Sequence, residues 1–537
     1  MSKQSGRRIS LLLACALLLA CLAGCGNGNA SNGNEGNNQA SPKVLKVGTD
    51  FSAFETMDVQ KTTYTTPFEI SDCVCETLMG KDPETLETYP LLVEDFPKVS
   101  EDGLTYTFTL KKDVKFHDGT TLNTDDVIYT FHRFFDPSTI CPMTWLVDMI
   151  AGAQDYMNGT ADSISGLAKV DDRTFTMTLN FPYSAMEATL AASPLAIFSD
   201  EACQAAGDRW GADSYVGTGP FVFTSFAAGE KIVLTRFADY HGEAGQRLDE
   251  IDVFCMDSNT ALMEFEAGTI DVCGLSAELA QDYKASAEYG DNVHYQDYFG
   301  IYTMIINQEV EPFNDPLVRQ AFALAVDKQA IANDYYDGSV SAAYSFLPPG
   351  ISGHDDALKE LDKRDVEKAK ALLTQAGYAD GITITTYIPT ADAVMTILQQ
   401  QLAEANIHLD VQLADAATVS DMRVTGKLAC WLLTWYADYN DADEFFYGVF
   451  NSNVADFFST GWRNAEFDAK LEQCRAINDM DEKAEIYRQL DREITWEQYG
   501  NVPLYYPGGF YLTSDRVSNV FMKNDFLWWW VDGDIVG

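Results

Sequence analysis

Apolar positions along the chain recur with two different periods. From Thr105 to Leu110 they alternate, placing Tyr106, Phe108 and Leu110 on one face of a half-buried strand. Thr174 to Leu179 repeats the pattern with Phe175, Met177 and Leu179. Polar turns stand beside both runs, at Glu101-Asp102-Gly103 and Asp171-Asp172-Arg173. A further strand-like run, Val44 to Gly48, opens the body. Helical spacing is expected over Ser71 to Gly80, with Val74, Leu78 and Met79 on one side. It is also expected after Asn123-Thr124-Asp125-Asp126. There Asn123 or Thr124 can cap the helix, the two aspartates suit its positive end, and Ile128, Phe131 and Phe135 form the inward stripe. His132 lies on that helix and reads as a structural histidine.

The second half is richer in helix. Asp315-Pro316 is a start signal for a helix carrying Val318, Phe322, Ala325 and Val326 inward and ending near Gly338. Asp365 caps another, with Val366, Ala369, Leu372, Leu373 and Ala376 inward and Gly377 as its left-handed stop. Strands follow at Ile382 to Ile388 and His408 to Leu413. Mixed elements, patterned differently in the two halves, point to at least two α/β lobes. No fixed-period repeat is present.

The N-terminus follows another logic. Lys3, Arg7 and Arg8 precede an uncharged run of 13 residues, Leu11 to Ala23. A mature membrane helix needs about 20, so the run reads as the core of a secretory signal. It ends in Leu22-Ala23-Gly24-Cys25, which is similar to a bacterial lipobox. Residues 1–24 are expected to be removed and Cys25 lipidated. Residues 25–42 then form a tether rich in Asn and Gly, with a reach of roughly 20–25 Å. Two acyl chains suffice for stable anchoring. The body is expected outside the cytoplasm, on the extracellular face or in the periplasm.

Composition narrows the function. The 537 residues carry 81 Asp+Glu against 36 Lys+Arg, a formal charge of −45. A body this acidic repels phosphate backbones, which argues against nucleic acid as a partner. Past the leader and Cys25, eight cysteines remain; Cys73-x-Cys75 is neither a redox pair nor a zinc box, and several of the eight read as small buried apolar residues. The sequence has no GxSxG, HExxH, P-loop or dinucleotide-binding fingerprint. Its six histidines are dispersed. Neither catalysis, a metal nor a cofactor is implied. The acids Asp441, Asp443 and Glu444 read as a solvated face.

One long segment carries a resemblance. "LTYTFTLKKDVKFHDGTTLNTDDVIYTFHRF", Leu104 to Phe134, resembles the signature of family 5 extracellular solute-binding proteins, the oligopeptide, dipeptide and nickel receptors of ABC importers. Within it, His117 reads as closing a turn with Asp118-Gly119. Further segments follow in the family's order: Val216 to Phe221, Ile306 to Ile331, Leu347 to Gly350, Asp365 to Tyr378 and Trp462 to Cys474. "FADYHG", Phe237 to Gly242, keeps only Tyr240 and Gly242 of the usual form.

The resemblance implies an α/β, cluster C periplasmic-binding-protein fold. Two lobes, domains I+II and III, close on a buried ligand. Domain I would comprise residues 43–92, 216–305 and 511–537, domain II 93–215, and domain III 306–510. The permease and ATPase would be separate chains, and the receptor a monomer. The run Trp528-Trp529-Trp530 falls in the return to domain I and reads as core packing.

The segment Trp431 to Phe446, "WLLTWYADYNDADEFF", resembles the part of oligopeptide receptors where an aspartate binds the peptide α-ammonium. Asp438 is the matching position. A carboxylate in a closing cleft makes a charge-assisted hydrogen bond to an ammonium. The preceding strand, Leu432 to Thr434, can pair with an extended peptide main chain. Trp435 can cover a side-chain pocket, with Thr434, Tyr436 and Tyr439 as further contacts. Relatives often carry a proline where this chain has Asn440 to Asp443, and the added acids could favour cationic peptides. The opposite wall is expected in Thr49 to Asp58, with Phe54 or Glu55 as candidates. The function expected is capture of short peptides for an ABC importer. The same fold binding a nickel chelate, haem or an oligosaccharide is the alternative.

Overall fold

The computed structural model describes residues 41–536. The signal run, Cys25 and most of the tether lie outside the described residues.

Three main sheets organise the body. The first has seven strands in the order Val293–Asp297, Gly508–Thr513, Val272–Leu275, Val44–Thr49, Glu250–Cys255, Lys231–Arg236 and Phe221–Ala227. Val44–Thr49 runs parallel to both neighbours, with Val47 opposite Val253 on one side and Val272 on the other. These side chains join Leu45, Ile251 and Trp530 in one core.

The second sheet has four antiparallel strands in the order Lys98–Val99, Thr105–Thr109, Thr174–Thr178 and Leu167–Lys169. Phe108 pairs across the ladder with Phe175, and their rings stack at 5.0 Å. Both are fully buried. Burying such a ring contributes about 1.5–3 kcal/mol, so truncating Phe175 would remove the centre of this core. The helix Thr124–Phe135 packs beside the sheet. Asn123 caps it in a full capping box with Asp126. The buried stripe is Val127, Phe131, Phe134 and Phe135; Ile128 is only half-buried, so the expected stripe is rotated by one position. The His132 ring lies 2.8 Å from Ile128 O and accepts from Ile164 N–H, a structural arrangement.

The third sheet runs Ser341–Ala342, Asn501–Tyr506, Gly300–Ile306 and Cys430–Tyr436, all antiparallel. It is covered on both faces. Met304 and Ile306 enter one core, and Ile301 and Ile305 enter another. That double coverage is why its strands read as unbroken apolar runs. The parallel pair Ile382–Ile388 and Ile407–Leu413 adjoins the first of these cores. The chain leaves the first sheet after Asp297 and enters the third at Gly300; it returns at Pro507. The two passages touch, Tyr298 N–H donating to Pro507 O at 3.0 Å.

Several sequence expectations shift. The helix expected over Ser71 to Gly80 lies earlier, Thr65–Val74, and Met79–Lys81 is a short strand. Gly217 and Gly219 pack against the backbone at the end of that helix, around Val74 and Cys75, where there is no room for another turn. The helix after Asp315 ends at Ala325 and not near Gly338; Val326 is extended, and Asp327 caps a new short helix through Ala330 N–H. After Asp365 the helix is Val366–Gln375, with Ala369 and Leu373 as its buried residues. His117 N–H donates to Gly217 O, and its ring sits 2.9 Å from Gly219 O, so two of the family-like segments hold each other. Trp528 and Trp530 are buried in the first core, with Trp529 packed at its edge. All eight described cysteines are free thiols, six of them buried.

Candidate functional site

The site grows from one strand and the turn that follows it. Cys430–Tyr436 is the edge strand of the third sheet, paired on one side with Gly300–Ile306. An edge strand presents backbone donors and acceptors that lack a ladder partner. Gly300 lies opposite Tyr436, and a β-carbon there would come within 2.6 Å of the Tyr436 ring and 2.8 Å of Trp435 O. Only glycine lets the two strands close at this point.

Side chains leaving this segment root in different cores. Leu432 packs with the core over one face of the third sheet, and Trp435 with the core over the other, its ring 5.7 Å from Phe458. Tyr436 stacks flat on Phe526 at 4.7 Å and joins the core of the first sheet. Tyr439 enters the core of the second sheet, its hydroxyl 3.1 Å from that of Tyr183. The segment is thereby held from all sides.

Asp438 sits among these anchors with its backbone fixed at both ends. Its N–H donates to the Glu444 carboxylate at 2.9 and 3.0 Å, and Tyr439 N–H donates to the same group at 3.2 Å. Lys81 Nζ donates to Asp438 O at 3.2 Å while ion-paired with Asp525 at 2.7 Å. The Asp438 carboxylate itself has no hydrogen bond or ion pair among the described residues. Burial pushes it up to about 6; Lys81 opposes that rise and Asp525 adds to it. Burial likewise holds Glu444 well above the ordinary carboxylate range, reinforced by the Asp438 charge.

The acids after Asp438 are not a solvated face. Asp441, Asp443 and Glu444 are each buried. Asp441 caps the helix Ala442–Phe450 and is ion-paired with Lys483. Asp443 accepts from the Tyr183 hydroxyl at 3.1 Å and faces Arg475, whose Nε is 3.3 Å away. Asp441 is thus occupied by Lys483, while Asp443, which lines the cavity, shares its charge with Arg475 and keeps one carboxylate oxygen unbonded.

Thr434, Trp435, Tyr436, Asp438 and Tyr439 all line one cavity of about 810 Å³. The opposite wall is not Thr49 to Asp58. It comes from Thr63, Thr65 and Phe68 at the start of the Thr65–Val74 helix, and from Lys81. Phe54 instead packs on Tyr64 at 4.7 Å, and Glu55 is exposed. A third wall went unrecognised in the sequence: Met143, Trp145, Leu146 and Met149, from the body of the second sheet. Their irregular segment carries no periodic signal. An unpaired run of large apolar residues around Pro142 is the only hint it offers.

Comparison with known proteins fits this geometry. The family description "Bacterial extracellular solute-binding proteins, family 5 Middle" matches residues 87–457. The chain belongs to family 5 of the bacterial extracellular solute-binding proteins. Members of this family are binding proteins of ABC importers rather than enzymes. This family 5 protein is 29% identical over 453 residues to Heme-binding protein A of Haemophilus influenzae, covering 80% of this chain and 81% of that one. It is 27% identical over 466 residues to the dipeptide-binding protein DppE of Bacillus subtilis, covering 83% of each. Among solved structures, the periplasmic binding protein DppA of Helicobacter pylori, in complex with the peptide STSA, superposes with a TM-score of 0.76 at 23% identity, over 92% of this chain and 98% of that one. The two-lobe fold of the periplasmic peptide-binding proteins is therefore shared.

Proposed function

We propose that this family 5 protein captures short peptides in the 810 Å³ cavity and hands them to the permease of an ABC importer. The observation that carries the reading is the Asp438 carboxylate. It faces a largely apolar cavity with its backbone clamped and its own oxygens unpaired. A half-buried anion without a partner is costly until a cation meets it. The α-ammonium of a peptide supplies that cation, and the edge strand at Leu433 to Trp435 supplies main-chain partners. Thr434, Trp435, Tyr436 and Tyr439 are the further contact residues in this reading.

The rest of the proposal follows from the leader. Cys25 would carry the lipid, residues 1–24 would be removed, and the monomeric receptor would stand on the outer side of the cytoplasmic membrane. Its domain division would be the one expected from the sequence: domain I at 43–92, 216–305 and 511–537, domain II at 93–215, and domain III at 306–510. No helix among the described residues is long and apolar enough to cross a membrane.

The test is native mass spectrometry of the purified protein, followed by sequencing of what denaturation releases. A ladder of short peptides, absent from Asp438→Ala, supports the proposal. The haem-binding relative favours one other reading. A released porphyrin with a Soret band would establish it, although no histidine lines the cavity.

A further inference from the structure

One glycine breaks the pattern of this protein's helices. The chain has 37 glycines, and among the described residues Gly448 is the one that lies inside an α-helix, Ala442–Phe450. Glycine destabilises a helix relative to alanine, because it loses more conformational freedom on folding. Backbone geometry requires a glycine where φ is positive, and packing requires one where a neighbour leaves no room for a side chain. Neither holds at this position. Gly448 is not among the residues with positive φ. Outside its own helix, a β-carbon at Gly448 would meet only the Trp435 ring, 3.4 Å from Cζ2 and 3.8 Å from Cη2. Carbon atoms pack at such distances without strain. The helix therefore bears the cost of a glycine that its own structure does not require.

The space beside Gly448 belongs to the cavity that Asp438 lines. Asp443, Glu444, Tyr447, Gly448 and Asn451 all face it. Their spacing, i, i+1, i+4, i+5 and i+8, is that of one helix face. The other face sends Phe445, Phe446 and Val449 into the core over the third sheet. Gly448 is the only position of the cavity face without a side chain, so it leaves a notch in that wall. The Trp435 ring forms one side of the notch. Phe458 meets that ring edge-on, at 5.7 Å and 74°, and lines the cavity with it. The indole Nε1 is enclosed by the protein, and it is the ring carbons Cζ2 and Cη2 that stand nearest Gly448. The notch thus presents aromatic carbon and no side-chain hydrogen-bonding group of its own.

Resting on the peptide reading above, we propose that Gly448 is a specificity-determining residue: its missing side chain makes room against Trp435 for one large apolar side chain of the bound peptide, so that the cavity selects an aromatic or large aliphatic residue at the first or second position. The place along the peptide follows from the chain. Trp435 stands three residues ahead of Asp438, which in that reading takes the α-ammonium. Three residues span at most about 10 Å, within reach of a large side chain on either of the first two residues of an extended peptide. Such a side chain removes its own apolar surface and that of the indole from water together. A charged side chain would lose its water there and gain no partner from a glycine.

The test uses tri- to pentapeptides of Ala with a free amine, in which position 1 or position 2 is Ala, Val, Leu, Phe or Glu in turn. Binding is measured by calorimetry. At one of the two positions Leu or Phe should bind the unaltered protein about tenfold or more tighter than Ala, with Glu no better than Ala. Gly448→Leu fills the notch with the protein's own side chain. It should weaken the Phe peptide by about tenfold or more and flatten the ranking at that position. Gly448→Ala is the smaller step. It should raise the melting temperature of the protein, since alanine suits the helix better, and still weaken the Phe peptide more than the Ala peptide. Should Gly448→Leu fail to fold, Gly448→Ala carries the test. An unaltered protein that binds the peptides but ranks Leu and Phe no higher than Ala at both positions overturns the role of Gly448 alone. So does a Gly448→Leu protein that keeps the preference or weakens every peptide equally, and so does a Gly448→Ala protein that melts lower, which would mean that packing needs the glycine. A protein that binds none of the peptides overturns the peptide reading and this inference with it.

Discussion

Lys81 holds Asp438 by its backbone carbonyl and not by its carboxylate. The ammonium gives its charge to Asp525 at 2.7 Å and only a hydrogen bond, at 3.2 Å, to Asp438 O. The lysine therefore fixes the position of Asp438 without neutralising it. Lys81→Met is expected to weaken peptide binding and to move the pH midpoint of that binding upward, because the cation that opposes the effect of burial on Asp438 is lost. Calorimetric titrations at several pH values would check this, and an unmoved midpoint would count against it.

Asp438→Asn should weaken peptides with a free amine by roughly 10- to 100-fold, the range of a charge-assisted hydrogen bond. N-acetylated peptides should bind weakly to the unaltered protein and no worse to the variant. The same substitution should raise the melting temperature of the empty protein, since it removes an unpaired, half-buried charge. Calorimetry and a melting curve measure both effects.

In the unaltered protein, peptide affinity should fall as the pH drops through about 6, where Asp438 takes up a proton and ceases to attract an ammonium. Folding stability should move the other way over part of that range. Asp126, Asp438 and Asp443 are each pushed up to about 6 by burial, and Glu69 to about 8. Between pH 4 and 6 the folded chain therefore binds more protons at these groups than the unfolded chain, and their contribution to stability is lost as the pH rises. The empty protein should melt higher near pH 5 than at pH 7.5. A flat or opposite profile would contradict the raised carboxylates.

Lys483 joins two bodies, through Asp441 on one side and Ser184 on the other, and is itself buried. Breaking such a pair from one side leaves a buried charge and costs about 3–5 kcal/mol. Lys483→Met should lose that much by urea denaturation. Adding Asp441→Asn, which keeps the helix cap, should recover most of it. A lysine that proves dispensable would mean that water reaches this site.

Gly217 offers a test of the family-like segment itself. A β-carbon there would stand 2.2 Å from Val74 O and 2.5 Å from Cys75 Sγ. Gly217→Ala should cost about 1–3 kcal/mol of stability through backbone displacement. Peptide affinity per folded molecule should change little.

How much of this was legible in advance depended on the range of the physics. Short-range signals read well. Alternation at Tyr106, Phe108 and Phe175 marked two paired strands, and Asn123 and Asp315 marked two helix starts. The edge strand and Asp438 were reached through a motif. Long-range pairing was invisible. Asp441 and Asp443 look like a solvated face because Lys483, which stands 42 residues after Asp441, declares no connection in the sequence. Arg475 passed unnoticed for the same reason, as one arginine at the end of a helix. The wall at Met143 to Met149 has no period to detect, since its shape is set by the core beneath it.

Leu432, Trp435, Tyr436 and Tyr439 each root in a different core. A random screen for lost uptake will therefore collect folding lesions at these positions along with lesions in recognition, and counting hits will not separate the two. Assignments in this stretch are better made from the other partner. Editing one functional group of the proposed peptide ligand at a time leaves the protein intact, so that any loss reports on recognition alone.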